Sequence, residues 1–350
     1  MKKKLIARIS RMGFLGPAIT PEPPTINQQP RRPATCLAFR GGGDCDWLVG
    51  VQTRKKTVEW VWRQIGVELP VEWECLQLAR DPNAGRCAFA DRYRFRFELN
   101  WRVSPGEPDF KRMMKDYEGS LAKEWTGVRQ VKCRGWPGLT GTREGEVVSR
   151  FGAYFSDIKL LVEVVFIHEA TRDAELERKV LATVRAVPPE ATGMQLWRAF
   201  GMEIRVPRTF TLGECVVEPA RVGMRFDGPR TPDRWIFRRY GMVKVWMKGS
   251  VRDWLAAQTG ELVRNVRFKP GGGGTVEMER LDGLWRPKGL LLRKGDYAAA
   301  AWKEPADGRL YHAICITGKK SRRFHPSAGT DAVLKACPEF LCVPGEGGGA

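Results

Sequence analysis

The chain has 350 residues, and its 59 lysines and arginines against 40 aspartates and glutamates give a formal charge of +19. A hydrophobic share of 43% with 13 tryptophans is the composition of a globular protein that buries a core, which excludes a wholly disordered or fibrous chain. No run approaches the roughly 18 consecutive apolar residues that a spanning helix needs, so no membrane span is expected.

The charge is unevenly placed. Residues 1–57 carry 11 basic and 3 acidic groups, 58–190 carry 21 of each, and 191–350 carry 27 and 16. An excess confined to the first 57 residues and the second half points to an anionic partner there, whether nucleic acid, a membrane surface or an acidic protein. The 9 cysteines fall singly, mostly within apolar runs, and are expected to be reduced and buried. Cys337 and Cys342 are the one conceivable disulfide or metal pair, although their spacing matches neither CxxC nor a zinc ribbon.

The N-terminus opens with Lys2, Lys3 and Lys4 before Leu5 and Ile6, like a secretory signal, but Arg8 and Arg11 interrupt the apolar run. Pro21, Pro23, Pro24, Pro30 and Pro33 with Gly41, Gly42 and Gly43 make residues 1–57 read as a disordered basic extension. Residues 343–350 read as a disordered tail.

Two segments then echo one another. Trp62-Arg63-Gln64-Ile65-Gly66-Val67-Glu68-Leu69 resembles Trp197-Arg198-Ala199-Phe200-Gly201-Met202-Glu203-Ile204. Glu74-Cys75 is matched by Glu214-Cys215, the stretch 87–91 by 223–227, and Trp136 by Trp285. A period this long is a whole folding unit, so 58–190 and 191–342 are expected to be tandem repeats of one domain.

In the first copy, Tyr93, Phe95, Phe97, Leu99 and Trp101 alternate with Arg92, Arg94, Arg96, Glu98, Asn100 and Arg102, the pattern of a half-buried strand whose arginines pair with the copy's own acids. Pro108-Asp109 opens a helix with Phe110, Met113, Met114, Tyr117 and Leu121 on one face. Strands are expected at 128–131, 146–154 and 159–168, the last apolar enough to be covered on both sides. A helix over 173–187, capped by Asp173, closes the copy. The second copy repeats the order: a capping box at 250–253 opens a short helix, strands follow at 263–268, 275–280, 289–293, 297–302 and 310–317, and a short helix begins near Asp331.

Strands, helix, hairpins, a long central strand and a terminal helix, seen twice, resemble the α-β-α sandwich of the PsbP-like and Mog-like superfamily. The landmarks are the helix at 109–125, Trp136-Pro137-Gly138 with its echo Trp285-Arg286-Pro287, and the strand-to-helix endings at 159–187 and 310–340. The fold class expected from this resemblance is α+β, two tandem antiparallel-sheet domains flanked by helices. The resemblance further implies an accessory or binding protein without catalytic residues.

The motifs point the same way. There is no HExxH, G-x-S-x-G, Walker or dinucleotide fingerprint, and no catalytic residue, metal site or cofactor is expected. Gly271 to Gly274 lead into a strand rather than a helix, so they read as a hairpin connection and not a phosphate cradle. His168 and His312 sit at or in apolar strands and read as structural. Asp91 and Asp227, at matching places, read as strand-end turn residues. The candidate anion-binding site is Lys319, Lys320, Arg322 and Arg323, between the last strand and the final helix. The reading is thus a non-catalytic binding or assembly module in a bacterial cytoplasm, its second repeat meeting an anionic partner. The alternatives are a nucleic-acid-binding protein and an enzyme with a site in an inter-domain cleft.

Overall fold

The computed structural model describes residues 57–269, 278–287, 294–318 and 334–336. The N-terminal extension, the glycine run, the C-terminal tail, Cys337, Cys342 and the candidate residues Lys319, Lys320, Arg322 and Arg323 all lie outside the described residues.

Each repeat starts with a hairpin. β1 (Thr57–Trp62) and β2 (Ile65–Pro70) open the first, and β11 (Met194–Ala199) and β12 (Met202–Pro207) the second. Both turns are two residues long with positive φ at each residue, Arg63 and Gln64 in one, Phe200 and Gly201 in the other, the type I′ geometry that matches strand twist.

A meander follows: β3 (Glu74–Leu78), β4 (Ala84–Ala90) and β5 (Phe95–Val103), then α1 (Phe110–Leu121), then β6 (Thr126–Cys133), β7 (Trp136–Arg143), β8 (Glu146–Phe155) and β9 (Leu160–His168). The strands form an antiparallel sheet in the order β3-β4-β5-β9-β8-β7-β6. α2 (Ala174–Leu181) leads to β10 (Arg185–Ala186). In the second repeat β13 (Thr211–Glu218), β14 (Arg221–Asp227) and β15 (Arg234–Tyr240) precede α3 (Val243–Trp246) and α4 (Val251–Thr259). Next come β16 (Val263–Lys269), β17 (Met278–Trp285), β18 (Gly295–Lys303) and β19 (Leu310–Thr317), in the same spatial order, β13-β14-β15-β19-β18-β17-β16. The last described strand is β20 (Leu334–Ala336).

The two hairpins join through β1 and β11 into a third sheet, β10-β2-β1-β11-β12-β20. One face of it is apolar and the other charged, because the strand period of two puts alternate residues on opposite faces. Trp60, Trp62, Ile65, Val67, Trp197, Ala199, Met202 and Ile204 face a core shared with the inner faces of both seven-stranded sheets. Glu59, Arg198, Glu203 and Arg205 form an ion network on the other face.

The expected α+β sandwich flanked by helices is therefore corrected: the protein is predominantly β, three antiparallel sheets with four helices among the described residues. The physical reason is the tryptophan-rich hairpins. They cover the inner face of each sheet, so only the outer face is left for a helix. That face takes Met114, Tyr117 and Leu121 of α1 in the first repeat and Leu255 of α4 in the second.

Register also corrects details. Trp60 pairs with Val67 and Trp197 with Ile204, each two residues before the hairpin end, so Trp60 rather than Trp62 is the counterpart of Trp197. Both meet the equivalent phenylalanine: Trp60 on Phe89 at 5.0 Å and Trp197 on Phe226 at 5.1 Å. The turns cross over reciprocally, Phe200 packing on Trp60 and Arg63 on Trp197. Trp136 begins β7 whereas Trp285 ends β17, so these two are not counterparts. Asp227 lies opposite Thr211 as Ala90 lies opposite Glu74, which makes Ala90, not Asp91, the match of Asp227. The helix expected over 173–187 ends at Leu181 and gives way to β10; of the helix expected from Asp331, residues 334–336 are strand.

Candidate anion-binding site

Three polar clusters could carry chemistry, and ion pairing separates them: Arg172 pairs with Glu177 and Arg150 with Glu163, whereas the third has no such pair among the described residues. Around His168, the backbone N–H of Asp173 donates to Nδ1 (3.4 Å), so Nε2 carries the proton and donates to Glu177 (3.0 Å). Glu177 is fully buried, accepts from both Nε and Nη2 of Arg172, and, although burial raises it, is held below the usual carboxylate range by the hydrogen bonds from His168, Arg172 and Ser149. Every acceptor and ring nitrogen is engaged, which leaves the imidazole no lone pair with which to act as a base. This is a strand-to-helix latch, as the sequence reading of His168 expects.

The second cluster lies beneath α1. Arg150 Nη1 reaches Glu163 (3.2 Å) and the Tyr117 hydroxyl, and Asn100 donates to the other oxygen of Glu163 (3.1 Å). The Arg150 guanidinium also packs on Trp125, its centre 5.6 Å from the ring centroid. Tyr117, Glu163 and Glu98 hold Arg150 charged despite complete burial. The arginines of β5 likewise find acids, Arg94 on Glu169 and Arg96 on Asp91, which also caps its own turn.

The third cluster is not satisfied. Arg239, near the end of β15, and Arg309, just before β19, flank Tyr311, whose hydroxyl lies 2.8 Å from Asp307 and 3.1 Å from the Gly201 carbonyl in the opposite hairpin turn. Asp307 uses its other oxygen to cap the Arg309 backbone N–H at 2.9 Å. Arg239 hydrogen-bonds Tyr311, yet Nη1 of Arg239 and Nη1 of Arg309 are both buried with no partner. Burial and the neighbouring Arg309 lower Arg239 to about 10, and burial with the Asp307 carboxylate pushes the Tyr311 phenol up. Two guanidinium groups beside a single carboxylate, each keeping a buried Nη1 with no acceptor, are costly unless an anion completes them.

The matching positions in the first repeat give the contrast. Trp101 pairs with Val162 as Arg239 pairs with Tyr311, and Leu160 stands where Arg309 does. All three first-repeat residues are buried and apolar. The hairpin loop that carries Arg309 also lines a cleft of about 920 Å³ with Met242, Val243, Lys244 and Lys303. Neither Lys244 nor Lys303 has an ion pair among the described residues, and both are exposed.

Among the described residues no group of three His, Cys, Asp or Glu is placed to hold a metal. Cys75, Cys87, Cys133, Cys215 and Cys315 are free thiols. Burial pushes Cys215 up to about 12 and raises Cys87 and Cys315 well above the ordinary thiol value, so none of the three is a thiolate nucleophile. The sequence reading missed Arg239 and Arg309. The signal was present in the alternation Trp235, Phe237, Arg239, where an inward position changes from aromatic to cationic. No protein-family model matches the chain, and no curated protein shows significant similarity to it.

Proposed function

We propose that the protein is a non-catalytic binding module whose second repeat holds an anionic group through Arg239 and Arg309, with Lys244 and Lys303 at the rim. The observation that carries this reading is the pair of buried, unpartnered Nη1 donors at positions that are apolar in the first repeat. Guanidinium donors in a fixed fork suit a carboxylate or phosphate bidentately. The ion-paired His168 and Arg150 clusters support a binding role over catalysis, since neither offers a free base or nucleophile.

The test is thermal unfolding of the full chain with millimolar inorganic pyrophosphate, against chloride at equal ionic strength. A ligand that binds only the folded state raises Tm in proportion to the logarithm of its concentration above Kd. Pyrophosphate is expected to raise Tm of the wild type and to lose that effect in Arg239→Met and Arg309→Met. No shift in the wild type, or an equal shift in both variants, overturns the reading.

A further inference from the structure

The connection between β15 and α4 is the most unusual surface of the second repeat. Met242, Val245 and Trp246 are 64%, 77% and 37% exposed, side by side on the single turn α3. Val243, between them, is buried and fastens the turn to the sheet. The Trp246 ring packs on Tyr240 and Trp254, and its Nε1–H donates to the Gly241 carbonyl at 2.9 Å. The ring can therefore enter an apolar medium without stranding its donor. Lys244 and Lys248 flank the apolar tips, both exposed and without an ion pair among the described residues. In the first repeat the corresponding connection, from β5 to α1, reads Ser104-Pro105-Gly106-Glu107-Pro108-Asp109: two acids, no lysine and no large apolar side chain.

We infer that α3 docks on an anionic lipid surface, Met242, Val245 and Trp246 entering the boundary between headgroups and acyl chains while Lys244 and Lys248 meet lipid phosphates. Three side chains on one turn fall far short of the roughly 20–30 residues that each side of a stable protein interface presents. A small apolar projection ringed by lysines instead matches the two components of interfacial binding, apolar insertion and attraction to anionic lipid. Lysine stems can lie along the apolar tips with their ammonium groups at headgroup level. The inference rests on the anionic-group reading, because Met242 and Lys244 line the same cleft as Arg309, so that a headgroup phosphate entering it comes to one member of the guanidinium pair. The attachment is to the surface: among the described residues no helix is long and apolar enough to cross a membrane.

The experiment is co-sedimentation of the full chain with vesicles of phosphatidylcholine alone and of phosphatidylcholine with phosphatidylglycerol, at low and high salt, with the pyrophosphate Tm shift measured on the same proteins. The wild type is expected to sediment with the anionic vesicles only. Val245→Ser/Trp246→Ser, both at exposed positions outside the lining of the cleft, is expected to lower partitioning about tenfold and to leave the pyrophosphate shift intact. Absence of wild-type binding to anionic vesicles, or unchanged binding by the double variant, overturns the lipid inference, and a retained pyrophosphate shift then shows that the anion site stands without it. Retention of an oligonucleotide that ignores the double substitution, with no vesicle binding, overturns it in favour of nucleic acid.

Discussion

The two repeats share a strand order and differ in where they bury charge. In the first, the polar group lies on the outer face under α1, where Arg150 is ion-paired to Glu163 and bonded to Tyr117, Asn100 bonds Glu163, and only Arg150 Nε is left over, and the inner face is apolar at Trp101, Leu160 and Val162. In the second, the outer face has lost its network: Ala299 stands in the place of Arg150 and His312 in that of Glu163. The cations appear instead on the inner face and beside it, at Arg239 and Arg309, with Asp307 the nearby acid and one buried Nη1 of each arginine unpartnered. The contrast teaches that a buried arginine with its own ion-paired acid stabilises a helix on a sheet, whereas two arginines without an ion pair among the described residues form a site for an anion from outside the chain.

The largest effects test what the repeats have in common. Trp60→Ala and Trp197→Ala each empty an equivalent place in the shared core and should each cost about 4–5 kcal/mol in urea unfolding; a large inequality between them breaks the equivalence drawn from register. Next, Arg150→Met removes the guanidinium paired with the buried Glu163 and should cost about 3 kcal/mol by the same measurement, with no effect on anion binding.

A pH titration sharpens the contrast on the outer face. His312 is fully buried with both ring nitrogens unpartnered, packs edge-on against Trp254 at 5.0 Å, and is lowered to about 3 by burial and by Arg238. Because the folded value lies below the ordinary 6.5, the contribution is complete above pH 6.5 and is lost as pH falls toward about 3. Glu177 and Glu203, also held low, begin to lose theirs only below their ordinary 4.5. Stability should therefore decline between pH 6.5 and 4.5 in the wild type and not in His312→Leu, which at neutral pH should be about 1 kcal/mol more stable. An unchanged slope in the variant removes His312 as the cause. The smallest effect is expected at the anion site: without ligand, Arg239→Met should stabilise by less than about 1 kcal/mol, since it deletes an orphaned donor and relieves Arg309. A marked loss of stability would mean that Arg239 is structural.

Much of the strand pattern was legible in the sequence. The alternation from Tyr93 to Trp101 gave β5, and the apolar run from Leu160 to Ile167 gave β9 with both faces covered, because period and hydrophobicity are local properties. The helix after Asp109 was legible from its cap and its spacing of three and four, and Asp109 does accept the Arg112 N–H. The hairpin register was not. The Trp-Arg dipeptide at 62–63 and 197–198 suggested an alignment two residues out, and only the positions of the two type I′ turns and the cross-strand pairs resolve it.

The sequence by itself determined the strands, the long helix of the first repeat, the recurrence of the hairpin segment and the concentration of positive charge in the second half, since each follows from composition or short-range pattern. Tertiary structure alone decided that the hairpins assemble into a third sheet, which displaced the expected helical layers. It also decided that Arg239 and Arg309, 70 positions apart in the chain, meet beside Tyr311, each with a buried Nη1 that has no acceptor. Such encounters depend on long-range strand pairing and on which face a register turns inward, and a shift of a single residue would have sent those arginines to the opposite face.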